Sequence, residues 1–169
     1  SDTCEVSRME NETGDGISTA FRVFPGIYLL HSDFHMQECP TVKSDDVDIL
    51  WLDFCREGRV EWEISKDKYV YLESGNYVID IRAGRKFTLH FPMGHYHGIS
   101  LRIHMKEANQ ALADFIKGVN IDVYTIRDKF LSEGQPFITK GNEIIHHIFE
   151  EIEQVPWDSS GEYYKIKVL

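Results

Sequence analysis

The chain has 169 residues, 42% of them hydrophobic and 12% aromatic, enough for one domain with a sizeable core or for two small ones. Its net charge is −10, from 18 Lys and Arg against 28 Asp and Glu, and no basic cluster exceeds a pair, so on its own it is not built to grip DNA or an anionic membrane. No apolar run approaches the roughly 20 residues of a membrane span, and no signal pattern opens the chain.

Three cysteines, Cys4, Cys39 and Cys55, are scattered with no CxxC pair. That spacing suits neither a disulfide framework nor a zinc finger. A reducing, cytoplasmic compartment is the expectation.

Residues 1–16 (SDTCEVSRMENETGDG) are polar with few core formers, which predicts a flexible N-terminal arm. From Ile17 to Met105 the pattern is β. FRVFPGIYLLH carries a Pro-Gly break that suggests a bend or bulge. DVDILWLDFCREGRVEWEIS reads as a hairpin, with the turn at Glu57-Gly58. In its first strand Ile49, Trp51, Asp53 and Cys55 share one face, and Leu50, Leu52 and Phe54 the other. Val60, Trp62 and Ile64 alternate with Glu61 and Glu63, the mark of a half-buried strand. KYVYLESGNYVIDIR gives two short strands around Ser74-Gly75-Asn76. KFTLHF comes after Ala83-Gly84, and GISLRIHM opens on Gly98. Short strands at close turn spacing predict a small antiparallel barrel or sandwich.

From Lys106 the period becomes helical. Ala108, Ala111, Leu112, Phe115 and Ile116 form one stripe, stopped by Gly118. Asn120 or Asp122 can cap a second helix. Gly134-Gln135-Pro136 separates it from NEIIHHIFEEIEQV, where Ile144, Ile145, Ile148, Phe149 and Ile152 make a strong apolar stripe. Ser159 to Glu162 is a capping box opening a last helix, EYYKIKVL. No stop signal precedes Leu169, which predicts that further sequence follows. Strands first and helices second give the α+β class.

LWLDFCREGRVEWEI, YVYLESGNYVIDI and FPMGHYHGISLRIHM, in this order and followed by helices, resemble the sensory domain of AraC-family bacterial transcription regulators. The resemblance runs from about Ile17 to the end. It implies an antiparallel cupin-like β-barrel over 17–105 that binds an effector. It also implies a C-terminal helical segment over 106–169 that dimerises or supports a DNA-binding domain. That domain, with two helix-turn-helix units, has no counterpart before Leu169, so DNA contact is expected only through a missing C-terminal part.

His95 and His97, two apart in Gly-His-Tyr-His-Gly, raise the question of a metal. Cupin enzymes present a carboxylate four or five residues after His-x-His, whereas here the first carboxylate after His97 is Glu107. No metal, no cofactor and no catalytic residue is therefore expected, with a metalloenzyme on His95 and His97 as the rival reading. Cys55 sits beside Arg56, which could lower its pKa, but its strand neighbours read as core.

An effector pocket needs aromatic walls and a few polar groups. Trp51, Trp62, Tyr69, Tyr71, Tyr77 and Tyr96 are candidate walls. Asp53, His97 and Arg102 are polar residues on strands that otherwise read as core; Asp53 and Arg102 could also pair with each other or face solvent. The resemblance singles out His97, because a histidine at the matching Tyr-His position faces the sugar in the family's arabinose sensor. The expected ligand set is His97, Trp51, Asp53, Trp62, Tyr96 and Arg102. Ile145, Ile148, Phe149 and Ile152 either pack on the barrel or form the dimer face that the resemblance implies. The expected partners are a small-molecule effector and a second copy of the chain.

Overall fold

The computed structural model describes residues 4–43, 46, 48–118, 120–154, 164 and 168. The strands, in chain order, are β1 (Cys4–Asn11), β2 (Gly14–Phe24), β3 (Ile27–His35), β4 (Glu38–Pro40), β5 (Ile49–Ser65), β6 (Lys68–Glu73), β7 (Asn76–Asp80), β8 (Thr88–His90), β9 (Tyr96–His104) and β10 (Phe137–Lys140). The helices are α1 (Met105–Phe115), α2 (Val123–Phe130) and α3 (Glu143–Gln154). Among the described residues, no helix is long and apolar enough to cross a membrane.

All pairings are antiparallel. One sheet runs β1-β2-β3-β9-β5-β7-β10, and a smaller one joins β4, β8 and β6 to the far half of β5. Strand β5 therefore belongs to both sheets. The expected hairpin at Glu57-Gly58 is corrected here: Ile49–Ser65 is one continuous strand of 17 residues. A bulge between Cys55 and Glu57 re-aims it. Gly58, at φ +81°, passes so close to β9 that a Cβ there would lie 2.3 Å from the His95 carbonyl oxygen. A turn signal and a bulge signal are the same residue type, because both need positive φ.

The expected flexible arm is also corrected. Residues 4–11 pair along their whole length with residues 14–21. The turn is fastened to β4: the Asn11 side chain donates to the Glu38 carbonyl at 2.8 Å, and Thr13 Oγ1 accepts from the Gln37 N–H at 3.2 Å. Polar composition suggested an arm, but β1 is an exposed edge strand, and an edge needs few core formers.

Two cores follow from the alternation of side chains across the large sheet. Phe34, Cys55, Trp62, Leu72, Val78 and Tyr96 point into the space between the two sheets. Leu29, Leu50, Phe54, Ile79 and Ile99 point outward and are covered by Met105, Ala108 and Leu112 of α1, Val123 of α2 and Phe149 and Ile152 of α3. Asp122 caps α2, its carboxylate accepting from the Tyr124 N–H at 3.0 Å, and Asn142 caps α3 through the Ile145 N–H at 2.9 Å.

The α3 stripe takes the first of its two expected roles and packs on the sheet. Phe149 and Ile152 are buried, and Ile145 and Ile148 pack against the same cluster. These four residues face the sheet of their own chain; Ile144, 70% exposed, is on the outer side. The strand β10 was not foreseen; four residues after a Gly-Gln-Pro break are too few for a period to show. The capping box at 159–162 lies outside the described residues, while Tyr164 and Val168 pack on the outer core.

Candidate ligand cavity between the sheets

The register of the large sheet creates a cavity by placing small side chains in one row. Ser7 pairs with Ser18, Ser18 with Ser32, Ser32 with Gly98, and Gly98 with Cys55. On one side lies the row Met9, Gly16, Phe34 and Tyr96, in which the Phe34 ring lies over Gly16, and on the other Leu30, Ser100 and Asp53. The resulting space is about 250 Å³, bounded by these rows and by Val60, Trp62, Leu72, Arg82 and Leu89. That is slightly below the ~300–1,000 Å³ of drug-sized sites. Gly98 also makes room for its neighbour: a Cβ there would sit 2.1 Å from the Tyr96 hydroxyl oxygen.

Ser100 Oγ donates to Asp53 Oδ1 at 2.6 Å, and the other Asp53 oxygen pairs with Arg82. The Arg82 guanidinium lies over the rings of Trp51 (4.7 Å) and Trp62 (5.3 Å), within cation–π range. Beside this pair, Arg85 binds Asp80 at 2.7 Å. Burial pushes the Asp80 carboxyl up, opposed by Arg85 and Arg82. Burial also pushes the Tyr96 hydroxyl well above its usual range, with Asp53 and Cys55 adding to it; Tyr96 stays a neutral phenol. Trp62 Nε1 is buried in the wall with no hydrogen-bond partner among the described residues.

Trp51, Asp53, Trp62 and Tyr96, chosen from the sequence, thus line one cavity. Arg102 stands one row further out, directly opposite Trp51 and Tyr28. It stacks on Tyr28 at 4.6 Å and reaches over Trp51 at 6.0 Å. It does not pair with Asp53, which takes Arg82 instead. His97 is corrected: it neighbours Tyr96 in sequence and so points to the opposite face, where its Nε2 lies 2.7 Å from Asp33 Oδ1. His95 does not join it; its Nδ1 lies 3.3 Å from the Met93 carbonyl. Tyr69 and Tyr71 are on the outside of β6, each 46% exposed, and Tyr77 is under the helices. Arg82, Ser100, Ser18 and Ser32 were missed; polar residues scattered over three strands and the segment after β7 carry no local signal.

Cys55 is fully buried, and burial, followed by the nearby Glu73 charge, pushes its thiol up to about 12. Arg56 pairs with Glu153 rather than with this sulfur. Burial raises the Cys39 thiol as well. An alkylating reagent at neutral pH is therefore expected to label the exposed Cys4 alone, with Cys39 and Cys55 reacting only on unfolding, as read by mass spectrometry of digests. Rapid native labelling of Cys55 would contradict its burial.

The fold is α+β, two antiparallel sheets sharing β5 with helices packed on the outer face of the larger one. No protein-family model matches the sequence, and no curated protein matches it. Among solved structures, the AraC-like transcriptional activator CuxR superposes at TM-score 0.58 with 10% identity, over 98% of this chain and 56% of that one. ToxT from Vibrio cholerae superposes at TM-score 0.50 with 12% identity, over 83% of this chain and 52% of that one. A cupin domain of an XRE-family transcriptional regulator from Enterobacter cloacae gives TM-score 0.41 at 10% identity, over 59% of this chain and 95% of that one. The chain spans about half the length of the two AraC-like structures. At these identities the likeness is one of fold.

Proposed function

We propose that the chain is the effector-sensing part of a bacterial AraC-like transcription regulator, and that it is a sensor rather than an enzyme. The observation that carries this reading is the cavity of about 250 Å³, walled by aromatic rings and lined by two residues with a buried, unpartnered donor among the described residues, Trp62 Nε1 and Arg82 Nε. A ligand with hydroxyl, carbonyl or carboxylate oxygens would satisfy those donors and the serine hydroxyls. Strand β1 contributes Ser7 and Met9 to the wall, so a ligand that fits one placement of the β1–β2 hairpin better than another would shift its population. In the whole regulator that shift would bias how a DNA-binding domain outside these 169 residues is presented, through a dimer. The motive for an enzyme on His95 and His97 is weak, since the two imidazoles contact different partners.

The test is a thermal-shift screen of sugars, amino acids and aromatic acids, with native mass spectrometry for retained small molecules. A hit is expected to raise the melting point of the native chain and to leave a folded Ser32→Phe variant, whose ring fills the cavity, unmoved. A hit that stabilises both equally, or a full regulator whose response survives Ser32→Phe, would remove the cavity from the reading.

A further inference from the structure

The outer face of the large sheet carries a second group of side chains that the ligand cavity does not use. Asp33 and His35, two apart on β3, share a face. His97 on β9 lies directly opposite Asp33. The imidazole Nε2 atoms of His35 and His97 lie 2.9 and 2.7 Å from the same oxygen, Asp33 Oδ1. The three donor atoms fall within 4.8 Å of one another. Their side chains are 63%, 45% and 40% exposed for His35, Asp33 and His97, beyond the helical cover.

We propose that Asp33, His35 and His97 form a binding site for a zinc-class divalent ion, distinct from the effector cavity. Two imidazole nitrogens and one carboxylate oxygen suit zinc, nickel, copper or cobalt; calcium and magnesium prefer all-oxygen shells. Zinc–donor bonds of about 2.0–2.2 Å require neighbouring donors near 3 Å apart. The carboxylate oxygen already lies within 3 Å of both nitrogens, so an ion there would replace these two contacts with bonds to itself. Three protein donors leave a fourth position for water. The surrounding register is acidic. Glu57 lies opposite His97 on β5, and Asp15 opposite His35 on β2.

The consequence is mechanical. The ion ties β3 to β9, the two strands whose alternate residues, Phe34 and Tyr96, stand in the cavity wall with ring centroids 6.3 Å apart. A bound ion braces that pair from behind, and by mass action raises the melting point further as its concentration climbs above the dissociation constant, logarithmically.

The experiment is zinc titration of the metal-free chain by calorimetry, with melting curves and cobalt(II) absorption as second readouts. One zinc per chain is expected, with a zinc-dependent rise in melting point and a four-coordinate cobalt spectrum. The double variant His35→Gln/His97→Gln is expected to weaken binding by roughly 10-fold or more, by analogy with lost shell partners. Asp33→Asn serves as the second variant. The control His90→Gln/His147→Gln is expected to retain binding; it removes the two looser contacts, His90 with Glu38 (3.8 Å) and His147 with Glu151 (3.5 Å). Zinc binding unchanged in both site variants, or lost in the control alone, would overturn the assignment. So would no zinc uptake by the folded native chain.

Discussion

Asp53→Ala is expected to destabilise the fold by about 3–5 kcal/mol, the cost of breaking a buried ion pair from one side. Asp53 is 6% exposed and the Arg82 side chain 18%, so the guanidinium left behind has little access to water. It would remain over the Trp51 and Trp62 rings without its directly paired carboxylate, and Ser100 would lose its acceptor. Urea denaturation should show the midpoint falling while the slope is kept. The double variant Asp53→Leu/Arg82→Met should recover most of the loss, because replacing both charges removes the desolvation cost along with the attraction. A near-neutral Asp53→Ala would mean that Arg82 swings to solvent, and the cavity wall would then have to be redrawn. In the sensor reading, the pair has a second role. It keeps the polar end of the cavity electrically balanced, so that Trp62 Nε1 and the serine hydroxyls decide which oxygen-bearing ligands fit.

Phe149→Ala is expected to cost a further class of energy, about 3–5 kcal/mol from lost burial and a residual void. Its ring stacks on Phe54 with centroids 4.3 Å apart and planes 7° from parallel. Both rings belong to the core between sheet and helices. Ile144→Ser, on the 70% exposed side of the same helix, should change stability by no more than about 0.5 kcal/mol. Chemical denaturation of both variants, with sedimentation on each, separates two roles for the α3 stripe. A large loss of stability for Phe149→Ala supports inward packing. A small loss together with dissociation of a dimer would favour the dimer-face alternative for Ile145, Ile148, Phe149 and Ile152.

What the sequence by itself determined is local. The alternation in ILWLDFC sorted Trp51, Asp53 and Cys55 from Leu50, Leu52 and Phe54, and the structure keeps that division. A cap at Asn120 or Asp122, of which the structure uses Asp122, and the change of period after Met105 were also local signals, since caps and periods act within a few residues. What the tertiary structure decided is which face of each strand looks into the cavity. The central strands are apolar on both faces, because one side meets the other sheet and the reverse side meets the helices. Strands buried on both faces lose the polar mark that tells inside from outside. So Tyr96 and His97 could be told apart as opposite, but not assigned, and His97 was placed on the wrong side. The cavity itself needed the register of five strands. Ser7, Ser18, Ser32 and Gly98 lie up to 91 residues apart in the sequence numbering (98 − 7), and only hydrogen-bonded pairing lines up their small side chains into one hollow row. A one-residue slip in any of those pairings would turn the whole set to the other face.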